Sequence, residues 1–207
     1  MTIPAFDRLL DEARKAHAAH AALREFCPFP ADLAPIAITP HRSGAADLMA
    51  ARPGIAEPSL AGLRDDFLAA ADCASWRDTY RDTDIGEDFL ARFGCYCLIG
   101  EGGGWRSAQM ASYVVYMPPG LYYPWHQHPA EELYLVLSGQ AEFYRAGAPG
   151  ALLASGDSAF HAANQPHAMR TLDQPVMAYV LWRSDLHVPP VLTGGEPANL
   201  SGLGELP

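Results

Sequence analysis

The segment Gly120-Leu-Tyr-Tyr-Pro-Trp-His126-Gln-His128-Pro-Ala-Glu-Glu132-Leu-Tyr134-Leu-Val-Leu-Ser-Gly139 constrains this chain more than any other. His126 and His128 stand one residue apart, and successive side chains of a β-strand alternate sides, so the two imidazoles face the same way. Glu132 returns to the same space if the chain turns back in a hairpin. Two imidazoles and a carboxylate form the donor set of a divalent transition metal that keeps positions open for a substrate. His167, in Asn164-Gln-Pro-His167-Ala-Met-Arg, offers a third imidazole. The pattern reads as a metal site inside a small β-barrel.

The rest of the chain fits such a barrel. From Phe93 to Trp182 it is rich in β-branched and aromatic residues, cut by Gly and Pro about every ten residues. The predicted strands are Phe93–Ile99, Ala111–Met117, Leu133–Ser138, Gln140–Tyr144, Leu152–Leu153, Ala159–His161, His167–Thr171 and Val176–Trp182. Short strands between turn signals imply a sandwich or barrel. Ahead of them, Phe6, Leu9, Leu10, Ala13 and Leu23 recur near the helical period, and Pro28, Pro30 and Pro35 end that helix. Ile36 to Ser59 reads as loop with short helical pieces, and Leu60, Leu63, Phe67, Leu68 and Trp76 imply one or two more helices. The expected organisation is a helical extension over 1–92 packed on the barrel, a barrel over 93–190 and a tail over 191–207.

The net charge of -10 argues against nucleic acid, which needs clustered Lys and Arg. No apolar run approaches the roughly 20 residues that span a bilayer. The first residues lack the basic start and apolar core of a signal peptide, so a cytoplasmic location is expected. Cys27, Cys73, Cys95 and Cys97 show no zinc-finger spacing and read as free thiols, with Cys95 and Cys97 on one face of a strand. His17 and His20 lie three apart on the first helix, without a supporting third ligand.

The spacing resembles the cupin superfamily, whose first motif, G-x5-H-x-H-x3/4-E-x6-G, is matched by Gly120, His126, His128, Glu132 and Gly139. In the second motif, G-x5-P-x-G-x2-H-x3-N, Gly156 and His167 match, while Ala162, Asn164 and Thr171 replace the Pro, the second Gly and the Asn. These departures concern turn chemistry and leave the ligand in place. The resemblance implies a mainly β fold, a single cupin (double-stranded β-helix) barrel with a helical N-terminal extension. It also implies one divalent metal held by His128, Glu132 and His167. His126 is the usual fourth ligand, although in some cupins it contacts substrate instead. Zn, Fe, Mn, Co and Ni all suit these donors.

Tyr134 lies two residues after Glu132 and so faces the same side of a strand. A buried tyrosine there either makes a structural hydrogen bond or, beside a divalent cation, loses its proton and becomes a metal ligand or a base. The strings Tyr122-Tyr123-Pro-Trp-His126-Gln-His128-Pro-Ala-Glu-Glu132-Leu-Tyr134, Asn164-Gln-Pro-His167-Ala-Met-Arg-Thr171 and Val176-Met-Ala-Tyr179-Val-Leu-Trp182 are similar to the bacterial cupin-type dimethylsulfoniopropionate lyases. That resemblance implies a small zwitterionic substrate cleaved to dimethyl sulfide and acrylate. It makes Tyr134 ligand or base and puts Tyr123 and His126 on the substrate side. An onium group is drawn to aromatic faces, and Tyr116, Tyr122, Tyr123, Trp125, Tyr179 and Trp182 are the candidates. Two other readings use the same ligands: an iron-dependent cupin dioxygenase of a small thiol or aromatic compound, and a non-enzymatic small-molecule-binding cupin. No nucleic-acid or membrane partner is expected, and the sequence leaves a homo-oligomer open.

Overall fold

Apolar side chains occupy both faces of the central strands, and that two-sided burial sets the architecture. The structure is a computed structural model and describes residues 3–193. Five helices, α1 (Pro4–Ala19), α2 (Ala21–Phe26), α3 (Ala45–Ala51), α4 (Ala61–Ala70) and α5 (Glu87–Arg92), belong to the N-terminal portion. The strands are β1 (Ala34–Pro35), β2 (Gly94–Ile99), β3 (Trp105–Arg106), β4 (Ala111–Met117), β5 (Tyr122–Gln127), β6 (Glu131–Arg145), β7 (Ala151–Ala154), β8 (Ser158–His161), β9 (His167–Arg170), β10 (Val176–Arg183) and β11 (Val191–Leu192). They form one sheet in the order β1-β3-β2-β4-β10-β6-β9-β5-β11, with β7 and β8 both paired to β6. This is the mainly β, single-barrel fold with a helical N-terminal portion that the sequence implied.

Most of these strands alternate with a period of two. Tyr96, Leu98, Val114, Tyr116, Leu133, Leu135, Leu137, Met177, Tyr179 and Leu181 face one core, shared with Phe6, Leu9, Leu63 and Phe67 of the helices. Cys97, Tyr113, Val115, Tyr134, Val136, Ala178, Val180 and Trp182 face the other, inside the barrel. The helices thus cover the outer face of the sheet, where each buried large side chain contributes roughly 1.5–3 kcal/mol. The segment from Trp76 to Phe93 reaches round to the barrel opening, where Tyr80, Phe89 and Phe93 pack. Among the described residues no helix is long and apolar enough to cross a membrane.

Several expected boundaries shift for physical reasons. The two strands expected on either side of Gly139 are one strand, β6, bent at that glycine. Its first half pairs with β10 and β8 and its second with β7 and β9, which carries the chain from one side of the barrel to the other. The expected first helix breaks at His20, whose extended backbone separates α1 from α2. Helix α5 was not expected, and the strand read around His126 and His128 is β5, which starts at Tyr122 and ends at Gln127. The expected tail begins as a strand, since Val191 and Leu192 pair with Gln127 and His126 of β5; residues 194–207 of that tail lie outside the described residues.

The two glycines of the first motif are used differently. Gly139 has φ +69°, and a Cβ there would lie 1.8 Å from the Pro175 carbonyl oxygen; Gly120 has φ +70° and open space around it. Gly120→Ala is therefore expected to cost only the left-handed backbone penalty, about 1–2 kcal/mol. Gly139→Ala should cost at least twice that, because backbone must also move. Urea unfolding of the two variants checks the order.

Candidate metal centre

Strand pairing aligns the site residues in rows. Glu132 on β6 stands opposite Trp182 of β10 on one side and His161 of β8 on the other. One step along, Tyr134 is flanked by Val180 and Ala159. Across the barrel, His126 of β5 pairs with His167 of β9, and a register shift between Tyr123 and His126 lets both point inward although they are an odd three positions apart. His128 follows at the expected alternation and is equally buried.

Each imidazole is oriented by a backbone carbonyl two residues away. His126 Nδ1 reaches Pro124 O at 2.8 Å, His128 Nδ1 reaches Ala130 O at 2.9 Å, and His167 Nδ1 reaches Gln165 O at 2.9 Å. A carbonyl only accepts, so each Nδ1 carries the proton and the neutral ring presents a lone pair at Nε2. The Nε2 atoms of His128 and His167 are buried without a hydrogen-bond partner. They lie 3.3 and 3.1 Å from Glu132 Oε2. Lone pairs facing a carboxylate at that range repel one another, and a cation among them turns every contact attractive. Ligand atoms of His128, Glu132 and His167 lie within 4.8 Å of one another, so this chain's residues fit a metal ion. His126 stands outside that group: its ring stacks on Tyr123 at 3.9 Å and meets His167 edge-on at 4.0 Å.

Glu132 is held at both oxygens. Trp182 Nε1 donates to Oε1 at 2.7 Å, and His161 Nδ1 lies 3.2 Å from Oε2. Burial opposes the charge on Glu132, but His128, His161 and His167 around it outweigh burial and hold the carboxyl well below the usual range. The same pairing raises His128 above its ordinary 6.5 against the effect of its own burial. Burial first, and then His167, push His126 well below that value. Burial, reinforced by the Glu132 charge, pushes the Tyr134 phenol well above 10.

These groups open onto a cavity. Tyr113, Tyr123, His126, His128, Glu132, Tyr134 and Trp182 line it. Four of the expected substrate aromatics are elsewhere. Tyr122 is 43% exposed, because it precedes Tyr123 on β5 and so takes the outer face. Tyr179 and Tyr116 sit on the outer, helix-facing side of the sheet, Tyr179 against Phe67 and Tyr116 donating to Leu48 O and Arg52 O. Trp125, between Pro124 and His126, does not line the cavity. His17 is tied to Cys27 O at 2.8 Å and joins no metal group.

A family model of dimethylsulfoniopropionate lyase matches residues 39–178. The chain belongs to this family. It is 52% identical over 192 residues, 93% of this chain and 96% of the relative, to the dimethylsulfoniopropionate lyase DddQ of Ruegeria pomeroyi DSS-3. The crystal structure of that organism's DMSP lyase DddQ superposes with a TM-score of 0.91 at 51% identity, over 94% of this chain and all of the other. A chain from the crystal structures of the DMSP lyases RdDddP and RnDddQII superposes with a TM-score of 0.88 at 39% identity, covering 91% and 97%.

In this member of the lyase family the altered second motif keeps its loop by other means. Asn164, in place of glycine, takes φ 56°, a conformation asparagine tolerates, and its N–H donates to His128 O at 2.8 Å. Ala162, in place of proline, donates its N–H to Gln165 Oε1 at 3.1 Å. Thr171 Oγ1 donates to Pro118 O at 2.6 Å and accepts from Leu121 N at 2.9 Å.

Sequence reasoning missed His161, Tyr80 and Tyr113. His161 stacks on His167 at 4.1 Å, and its alternation with Ala159 on β8 was the available signal. Tyr80, whose hydroxyl lies 2.6 Å from that of Tyr123, comes from a loop with no pattern to flag it. Trp182→Phe keeps a ring but removes the donor to Glu132 Oε1, and is expected to weaken metal affinity about 10–100-fold, measurable by competition with a chelator. Affinity should also fall with pH. His128 must be neutral to bind, and its pKa is raised, so binding is complete above that raised value and is lost as pH drops through it. Dialysis across the neutral range followed by elemental analysis measures the loss.

Proposed function

We propose that this protein is a metal-dependent lyase that cleaves dimethylsulfoniopropionate by β-elimination to dimethyl sulfide and acrylate. The observation that carries the reading is 52% identity over 93% of the chain to a lyase of that name, joined to a buried His128–Glu132–His167 group beside a cavity. His128, Glu132 and His167 would hold one divalent transition metal, with His126 or Tyr134 completing its shell. Bound there, the ion supplies Lewis acidity that stabilises negative charge developing at the carboxylate end of the substrate and lowers the pKa of a neighbouring phenol.

The remaining work falls to the chain's own side chains. Tyr134 takes the proton from the carbon next to the carboxylate. The carbon–sulfur bond then breaks, its electron pair leaves with sulfur, and a carbon–carbon double bond forms. Dimethyl sulfide leaves neutral and needs no acid. The faces of Tyr123 and Trp182, both lining the cavity, attract the sulfonium before it leaves. His126, stacked on Tyr123, steadies that wall. The free cysteines fit a reducing compartment, and we assign the protein to the cytoplasm.

Incubation of the purified protein with dimethylsulfoniopropionate should release dimethyl sulfide into the headspace without oxygen uptake. Tyr134→Phe is expected to cut kcat about 10²–10⁴-fold at unchanged metal content. Recovery of that variant with excess metal would instead make Tyr134 a ligand, and near-normal turnover would remove it from the chemistry.

A further inference from the structure

Arg77 is a charged cavity residue that the elimination leaves unused. Its backbone N–H donates to Cys95 O at 2.8 Å, next to the bridge between Trp76 and Tyr96, which lays residue 77 along the edge of β2. Its side chain lines the same cavity as Glu132 and Tyr134, with the guanidinium carbon 5.2 Å from the centre of the Tyr113 ring. Tyr113 meets Trp182 edge-on at 5.3 Å, so guanidinium, Tyr113 and Trp182 form one continuous wall. Among the described residues no ion pair joins Arg77 to a carboxylate. Its neighbour Asp78 turns instead to His41 at 3.1 Å and Arg81 at 2.6 Å.

Arg77 and Glu132 are the cavity's two side chains of fixed charge. Glu132 is committed to three imidazoles and Trp182. Arg77 is partly withdrawn from water and offers planar donors that match a carboxylate, with no protein anion to take them. We propose that Arg77 binds the carboxylate end of the substrate and thereby fixes the direction in which a zwitterion lies in the cavity. The proposal rests on the lyase reading for the identity of that substrate. The sulfonium end is repelled by the guanidinium and left to the faces of Tyr123 and Trp182. Guanidinium and Lewis acid act on the same end of the molecule and in the same sense.

The test uses half-substrates on the metal-loaded protein. Propionate carries the carboxylate alone and trimethylsulfonium the onium alone; calorimetry measures each on the wild type, Arg77→Met and Arg77→Lys, with metal content and thermal unfolding as controls. Loss of a charge-assisted pair should weaken propionate binding and raise KM for dimethylsulfoniopropionate about 10–100-fold, with a smaller change in kcat. Trimethylsulfonium should bind Arg77→Met as well as or better than the wild type, and Arg77→Lys should recover part of the propionate affinity. The proposal is overturned if the wild type does not bind propionate, if Arg77→Met binds it within twofold of the wild type, or if both half-substrates weaken equally. Arg77-dependent propionate binding without dimethyl sulfide release would sink the lyase reading and leave this site standing. Turnover with propionate binding indifferent to Arg77 would do the reverse.

Discussion

Glu132 is a full negative charge placed where almost no water reaches, and the interior of the barrel is arranged around that cost. An isolated carboxylate in such a place would take up a proton instead. It stays ionised because one oxygen accepts from the Trp182 indole and the other meets Nδ1 of His161. His128 and His167 have their Nδ1 protons taken by backbone carbonyls, which leaves their Nε2 lone pairs turned toward the charge. The arrangement is under electrostatic tension until a cation enters it, and that tension is what suits these residues to hold one.

Holding such a group requires rigid walls. The sheet supplies them because it is packed on both faces: helices α1 and α4 lie against the outside, and interlocked aromatic and branched side chains fill the inside. Strand β6 matters most here. It carries Glu132 and Tyr134 on the half that pairs with β10 and β8, bends at Gly139, and then pairs with β9, the strand that starts with His167. One continuous segment thus links both ligand-bearing sides of the barrel. The mouth, by contrast, is finished by the loop around Arg77 and Tyr80 and by α5, outside the barrel strands. The chemistry of the centre and the shape of the opening come from different parts of the chain.

The His128–Glu132 half of the candidate metal group was legible in the sequence because its geometry is local. The alternation that puts His126 and His128 on one side, and the hairpin that returns Glu132 and Tyr134, follow from strand stereochemistry and a few residues of spacing. Most strands from Ala111 to Trp182 were legible for the same reason. The aromatic assignments were less so. Tyr122 and Tyr179 look as suitable as Tyr123 and Trp182 in composition, and only the phase of each strand relative to the barrel separates them. The bulge after Tyr123 breaks that phase, so alternation alone could not carry it through β5.

By itself, then, the sequence determined the donor set, the strand period and the family. Tertiary structure decided which face of each strand is interior and which distant groups complete the site. His161, Tyr80, Tyr113 and Arg77 reach it by strand pairing and loop docking, contacts between residues far apart in the chain. Those contacts exist only once the barrel has closed and the helices have covered its outer face, because closure is what brings the β8 edge and the Trp76–Phe93 segment to the cavity.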